Sequence, residues 1–429
     1  MSGKTQAPRG KGGTAGKAVK PGRDPGPRGL AKLFAKVEDP SLRGAQINYY
    51  VVLGSTLALT LLGLIMVLSS SSVEAIARNK SPFDDFRKQA LWAVLGLLCM
   101  ATLQLLPTDK LKKLAWPALG VATVLLMMVL VFGQEIYGNK NWLIIGSFSV
   151  QPSEFAKAAM ALWGAAVVER KAHLMHQWKH AVVPLVAPFG GLMLLLVLIG
   201  KDLGTAMVLA LILVVVMFVG GAPARIFGYG AAGAAVGLAV AVAVAPTRLG
   251  RVTAWIFGCG EAQDYCYQAQ QGIYALASGG WLGVGLGQSR QKWSHIPEAQ
   301  NDFIFAVLGE EMGLLGTLFV VLLYTMLAVA MYRIAVRSET IFGRVAISGI
   351  MAWIVGQAFV NIGMVIGLLP VIGVPLPFIS SGGSALLATF LGIGVVLSFA
   401  REQRMGKQGR ATPGMLQGFM ARLRGANAN

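Results

Sequence analysis

One carboxylate stands out by its setting. Asp302 follows Ile296-Pro297-Glu298-Ala299-Gln300-Asn301 and opens a long apolar run that starts at Phe303. If it begins a helix there, Ala306, Gly309 and Gly313 share its face, and Glu310 lies about 80° round at about 100° per residue. A carboxylate at the mouth of a small-residue groove is costly unless paired or hydrated, which makes it a functional candidate. As a general base it would take a proton from an alcohol. The same position also suits a helix N-cap, which would satisfy orphan N–H groups.

Upstream lies Ser278-Gly279-Gly280-Trp281-Leu282-Gly283-Val284-Gly285-Leu286-Gly287-Gln288-Ser289-Arg290-Gln291-Lys292. Its glycines would let backbone N–H groups approach a phosphate. It fails as a nucleotide fingerprint, because no strand precedes it and no Walker lysine follows. Arg290 and Lys292 read as diphosphate contacts or as an interfacial anchor pair. Glu154 and Lys157 stand three apart, so they can pair on one helix face, either as a buried structural ion pair or as site residues. Asp202, in Gly200-Lys201-Asp202-Leu203-Gly204-Thr205, is either an N-cap or a cavity residue. Asp84 and Asp85 stand beside Arg87 and Lys88, which suggests a solvated hairpin. Cys259 and Cys266 are a disulfide candidate on an oxidising side, and Cys99 has no evident partner. The four His show no zinc spacing, and nothing suggests haem.

The elements that must position these groups are membrane spans. The chain has 429 residues, of which 55% are apolar and 13% charged. Soluble domains carry roughly 25% charge, so an ordinary cytosolic enzyme, a disordered chain and a disulfide-stapled domain are excluded. A span needs about 20 apolar residues. Ten runs qualify, near 49–69, 90–106, 114–133, 152–168, 181–200, 203–221, 225–246, 302–332, 343–369 and 382–400. With the N-terminus inside, the inner segments hold 26 of the 37 Lys and Arg and the outer ones 10. That asymmetry puts both termini in the cytoplasm. The fold class is thus all-α polytopic, with a large extracytoplasmic loop at 247–301 between spans seven and eight. The first span acts as an uncleaved signal anchor.

The basic tail 1–45 reads as disordered, with Leu30, Leu33, Phe34 and Val37 patterned as a short interfacial helix. Residues 403–429 form a second basic tail patterned by Met415, Leu416, Phe419, Met420 and Leu423. Both suit anionic lipids or are simply solvated; nucleic acid is not implied. The membrane domain spans 46–402. Within it, Leu369-Pro370-Val371-Ile372-Gly373-Val374-Pro375-Leu376-Pro377-Phe378-Ile379-Ser380-Ser381-Gly382-Gly383-Ser384 has too much Pro and Gly to continue a helix. Being apolar, it would re-enter the membrane as one wall of a cavity.

Four motifs, in order, resemble the SEDS family of polytopic peptidoglycan glycosyltransferases. They are Gln151-Pro152-Ser153-Glu154-Phe155-Ala156-Lys157, Asp202-Leu203-Gly204-Thr205, the stretch Gln268 to Gly313, and Gly367-Leu368-Leu369-Pro370 with Pro377 to Ser384. The resemblance covers about residues 46 to 402 and is strongest to the cell-division branch, of actinobacterial type. It implies polymerisation of lipid II at the outer face of the cytoplasmic membrane, at the septum. The family's essential Asp falls on Pro297 to Phe305, at Asp302. Ser289, Glu298, Gln151, Ser380 and Ser384 join Arg290, Lys292, Glu154, Lys157 and Asp202 as substrate-binding candidates. A divalent cation, Mg²⁺ or Mn²⁺, is implied, with Asp302 a possible ligand. So are a class B penicillin-binding protein and other division membrane proteins as partners. Two departures are visible. Asn141, not Arg, precedes Trp142, and Val371-Ile372 stands where many members have Thr-Lys. A family cation at either place does not carry over, which leaves Lys140, Lys292, Arg290 or a bound metal as substitutes. A lipid II flippase and a non-catalytic division scaffold are the competing functions.

Overall fold

The computed structural model describes residues 42–77, 79, 81–136, 139–146, 148–243, 246–257, 263–290 and 299–426. Among the described residues, each of the ten apolar runs lies mostly on helix. The helices are α1 (Leu42–Ala77), α2 (Asp84–Leu103), α3 (Thr108–Phe132), α4 (Pro152–Arg170), α5 (Trp178–Leu185), α6 (Gly191–Ile199), α7 (Leu203–Val219), α8 (Ala224–Ala243), α9 (Pro246–Phe257), α10 (Gln263–Gly279), α11 (Ile304–Val336), α12 (Ile341–Val365) and α13 (Gly383–Ala426). A π-helical turn, Val186–Gly190, joins α5 to α6, next to Pro184 and Pro188, which cannot donate to a regular ladder.

Among the described residues, seven helical stretches are long and apolar enough to cross a membrane, with α5 and α6 counting as one. The chain is a polytopic helical membrane protein. α7 is apolar but shorter, at 17 residues. α4 departs for a different reason. It carries Glu154, Lys157, Glu169 and Arg170, yet nearly all of it is buried. It packs against α3, α7, α12 and α13, so protein rather than lipid surrounds Glu154 and Lys157. The core centres here, with Trp163 of α4 and Trp353 of α12 fully buried.

Two sequence expectations need correction. The all-α fold class misses a three-stranded antiparallel sheet within 134–150: β1 (Gln134–Ile136), β2 (Asn139–Ile145) and β3 (Phe148–Val150), in that order. Ile144 and Ile145 supplied only a brief β-branched signal, and the pairing came from chain reversal. The 247–301 segment holds two helices among its described residues, α9 and α10. The C-terminal helix also runs through residue 403 without a break. Residues 1–41 and 427–429 lie outside the described residues, as do the side chains of 406–426.

The irregular segment 366–382 sits between helices. Its Val374, Leu376, Phe378 and Ile379 are buried, and Phe378 is held at φ +69°. α1 crosses it at Gly63, where an added Cβ would collide with the Phe378 carbonyl. Gly63→Val should therefore separate α1 from the segment. The expected cost is at the upper end of the about 1–3 kcal/mol typical of overpacking, read as a lower thermal midpoint in detergent.

Candidate active site

The segment 366–382 has backbone groups that no helix or sheet satisfies, and at membrane depth such groups need protein partners. Side chains provide them. Gln357 Nε2 donates to Pro375 O at 2.8 Å. Asn361 Nδ2 donates to Val374 O at 2.7 Å. Tyr324 Oη donates to Pro377 O. Gln89 clamps the far end, donating to Ser380 O and accepting from Gly382 N, both at 3.2 Å. Ser380 Oγ accepts from Leu376 N at 2.7 Å. All three amides, Gln89, Gln357 and Asn361, were missed in the sequence, although Gln357 and Asn361, four apart within an apolar run, are the kind of signal polar residues give inside a span.

Asp302 is docked onto this segment. It does not begin α11: the helix starts at Ile304 with Phe303 as its N-cap residue and no side-chain cap. The N-cap alternative is thereby removed, and so is the shared helix face with Ala306, Gly309 and Gly313. Asp302 sits in the preceding turn, half-buried. Three consecutive carbonyls of that turn are bound. Gln300 O accepts from Ser381 N at 2.9 Å, Asn301 O from Ser380 Oγ at 2.6 Å, and Asp302 O from Asn361 Nδ2 at 2.8 Å. The carboxylate lies over Gly373, where a Cβ would stand 3.4 Å from Oδ2. Gly373, at φ +79°, is in the left-handed region that glycine adopts without strain.

The other face of Gly373 meets α7. A Cβ on Gly204 would stand 3.3 Å from the Gly373 carbonyl. Two residues earlier, Asp202 caps α7 by accepting from Thr205 N at 3.0 Å. Its Oδ2 also accepts from Asn141 Nδ2 at 2.9 Å, Gln151 Nε2 at 3.1 Å and Thr205 Oγ1 at 2.8 Å. Asp202 is therefore an N-cap, and it also lines a small cavity with Lys140, Asn141 and Ser153. Gln151 N in turn donates to Ser384 Oγ at 3.1 Å. Lys140 Nζ donates to Leu130 O at 2.7 Å, at the end of α3.

Glu154 and Lys157 form a buried ion pair at 2.8 Å, 2% and 1% exposed. Lys157 Nζ also donates to Gln357 Oε1 at 2.9 Å and lies 5.4 Å from the Trp353 ring centroid. Glu154 and Ser380 line a cavity with room for about one water molecule, walled by Pro375–Phe378. Gln151, Glu154, Lys157, Asp202, Ser380 and Ser384 thus converge around the irregular segment that carries Asp302.

Ser289 and Arg290 go elsewhere. Ser289 is buried and donates through Oγ to Glu310 Oε2 at 2.5 Å; Arg290 N donates to Glu310 Oε1 at 3.0 Å. The expectation that Ser289 faces a substrate is corrected, because its hydroxyl is turned to a buried carboxylate. The Arg290 side chain is exposed. The glycine run holds a break in α11. Gly313 leaves the helical region at φ +66°, ψ −166°, and Val284 N and Gly285 N donate to Glu310 O and Glu311 O there. Asp84 and Asp85 pair with Arg87 and Lys88 on the exposed first turn of α2. Lys292, Glu298 and Cys259 lie outside the described residues, as does the Cys266 side chain. Among the described residues no group of three or more His, Cys, Asp or Glu is placed to hold a metal.

The family model described as cell cycle protein, covering FtsW, RodA and SpoVE, matches residues 50–405. The chain is 38% identical over 358 residues to the probable peptidoglycan glycosyltransferase FtsW of Mycobacterium tuberculosis, covering 83% of this chain and 68% of that one. It is 35% identical over 353 residues to the stage V sporulation protein E of Bacillus subtilis, covering 81% and 96%. A solved structure described as structural coordination of polymerization and crosslinking by a peptidoglycan synthase complex superposes with a TM-score of 0.68 at 29% identity, covering 82% of this chain and 98% of that one. The rod shape determining protein RodA of Thermus thermophilus gives 0.61 at 28%, covering 82% and 96%.

Removing Lys157 would strand a buried carboxylate, which typically costs about 3–5 kcal/mol. Lys157→Met is therefore expected to lower the thermal midpoint sharply. The double replacement Glu154→Gln with Lys157→Met should recover most of that loss.

Proposed function

Since the chain belongs to the FtsW, RodA and SpoVE family of cell cycle proteins, we propose that it is a peptidoglycan glycosyltransferase that polymerises lipid II during septal wall synthesis. In this reading ten helices span the cytoplasmic membrane, both termini are cytoplasmic, and 247–301 lies outside between the seventh and eighth. The reaction takes place at the outer face, where Asp302 stands. The single observation that carries it is the mounting of Asp302. A half-exposed carboxylate is held at the end of an apolar helix by three bound carbonyls, over a glycine that leaves space beside it.

The acceptor is the sugar 4-hydroxyl of one lipid II, and the donor is the anomeric carbon of the growing chain. The hydroxyl oxygen bonds to that carbon as the bond to diphosphate breaks, and polyprenyl diphosphate leaves. Asp302 takes the hydroxyl proton, a contribution of about 10²–10⁴-fold for a positioned base. One carboxylate with attack opposite the leaving group inverts the α-linked donor to a β-linkage, as in inverting glycosidases. Glu154, Lys157, Asp202, Gln151, Ser380 and Ser384 hold the walls of the site. Arg290, exposed on its turn, and Lys292 are the cations available to the diphosphate.

One carboxylate is a poor cage for a metal alone, but Mg²⁺ is commonly held by one or two carboxylates together with substrate phosphates. Asp302 fits that mode, and a bound Mg²⁺ or Mn²⁺ would supply charge neutralisation at the leaving diphosphate. The reading includes a class B penicillin-binding protein as partner. The similarity to a chain from a complex that couples polymerization to crosslinking supports it.

The test is lipid II polymerisation by the full chain with its transpeptidase partner, the transpeptidase site blocked, in Mn²⁺ or Mg²⁺. Wild type is expected to make glycan ladders, and Asp302→Asn, folded to the same thermal midpoint, to lose them by at least 10²-fold. Asp302→Asn ladders at the wild-type rate would overturn the base assignment. Absence of ladders from both proteins would favour a flippase or a division scaffold, which lipid translocation in liposomes would then separate.

A further inference from the structure

Asn361 is fully buried in α12, between apolar neighbours that are themselves buried, including Ala358, Ile362 and Val365. An amide at such a position is costly unless its hydrogen bonds are made. Its Nδ2 makes two, to Val374 O at 2.7 Å and to Asp302 O at 2.8 Å. Two acceptors on one group fix which end of the amide is the nitrogen. The first bond has an ordinary explanation, since an irregular segment needs donors for its carbonyls. Gln357, one turn earlier on the same face of α12, does that job alone at Pro375 O. The second bond satisfies nothing in that segment. It joins the backbone of the proposed base to the strip of chain beneath its carboxylate.

We propose that Asn361 is a positioning residue for Asp302, setting the height and direction of its carboxylate over Gly373 by tying Asp302 O and Val374 O to one nitrogen. Gly373 adjoins Val374, so one amide spaces both the carboxylate and the floor below it. Ser380 Oγ and Ser381 N hold the two preceding carbonyls, but neither touches Asp302 itself. Without Asn361 the turn keeps the bonds at Gln300 O and Asn301 O and loses the one at Asp302 O. Misplacement of a catalytic group by about 1 Å can cost about 10²-fold, with little change in substrate binding. The proposal rests on the reading of Asp302 as the base.

The experiment compares full-length wild type, Asp302→Asn, Asn361→Ala, Asn361→Ser and Leu119→Ala, each with the blocked transpeptidase partner. Leu119→Ala creates a cavity in the buried part of α3 and serves as a control for destabilisation alone. In lipid II polymerisation, Asn361→Ala is expected to lose about 10–100-fold in kcat with KM within about twofold. Asn361→Ser, which keeps one donor, should fall between it and wild type. In the Asp302→Asn background, Asn361→Ala should have no further effect, as for residues acting through one another. A kcat for Asn361→Ala within twofold of the Leu119→Ala control overturns the proposal, as does a loss confined to KM. If neither Asn361 variant folds, the residue serves folding and the proposal also fails. Wild-type activity in Asp302→Asn, by contrast, removes the base reading itself, so the two failures are told apart within one assay.

Discussion

An irregular stretch of backbone inside a helical membrane protein must find a partner for each of its polar groups, and much of this molecule is arranged around that need. Segment 366–382 has three prolines and positive-φ positions at Gly367, Gly373 and Phe378, so it cannot satisfy itself as helix. Amides on α2 and α12, a tyrosine on α11 and the segment's own Ser380 supply donors and acceptors instead. Gln89, Gln357, Asn361 and Tyr324 are polar residues within apolar helices, and each donates to a carbonyl of this segment.

The same arrangement holds the chemistry. A segment pinned from several helices is a stiff platform, and both notable aspartates are set against it. Asp302 is tied to it by consecutive backbone carbonyls, and Asp202 approaches from the start of α7, with Gly373 and Gly204 in close contact between them. The absence of side chains at both glycines is what lets the helix end and the acidic turn come this near. Behind the platform, the Glu154–Lys157 pair reaches Gln357 and through it Pro375. Buried charge, neutral amide and irregular backbone thus form one connected polar network, in which loss of one member leaves others unsatisfied.

A second irregular feature lies in α11. The glycine run before Asp302 looks from its sequence like a phosphate cradle, but the structure uses its N–H groups on the carbonyls freed where α11 breaks at Gly313. Close backbone approach was the correct inference from the glycines, and only the partner differed. Ser289 follows the same pattern, since its hydroxyl meets Glu310 rather than solvent.

Hydropathy pointed to the long apolar helices, because a bilayer leaves isolated apolar segments few other ways to satisfy their backbones, but not to α9 and α10 in the segment 247–301. Among the described residues the ten apolar runs lie mostly on helix, and the Pro- and Gly-rich run after α12 is irregular, as its residues require. The i,i+3 spacing of Glu154 and Lys157 foretold their pairing, and the short motif around Asp202 foretold its cap. What lay beyond the sequence was whatever depends on residues far apart in the chain. Asn361 and Asp302 are 59 positions apart, Gln89 and Ser380 291. No local pattern shows that these side chains meet. The position of Asp302 ahead of α11, instead of inside it, was likewise decided by tertiary contacts. Three carbonyls bound by residues 361, 380 and 381 hold that turn out of the helix that its sequence would otherwise have extended to meet.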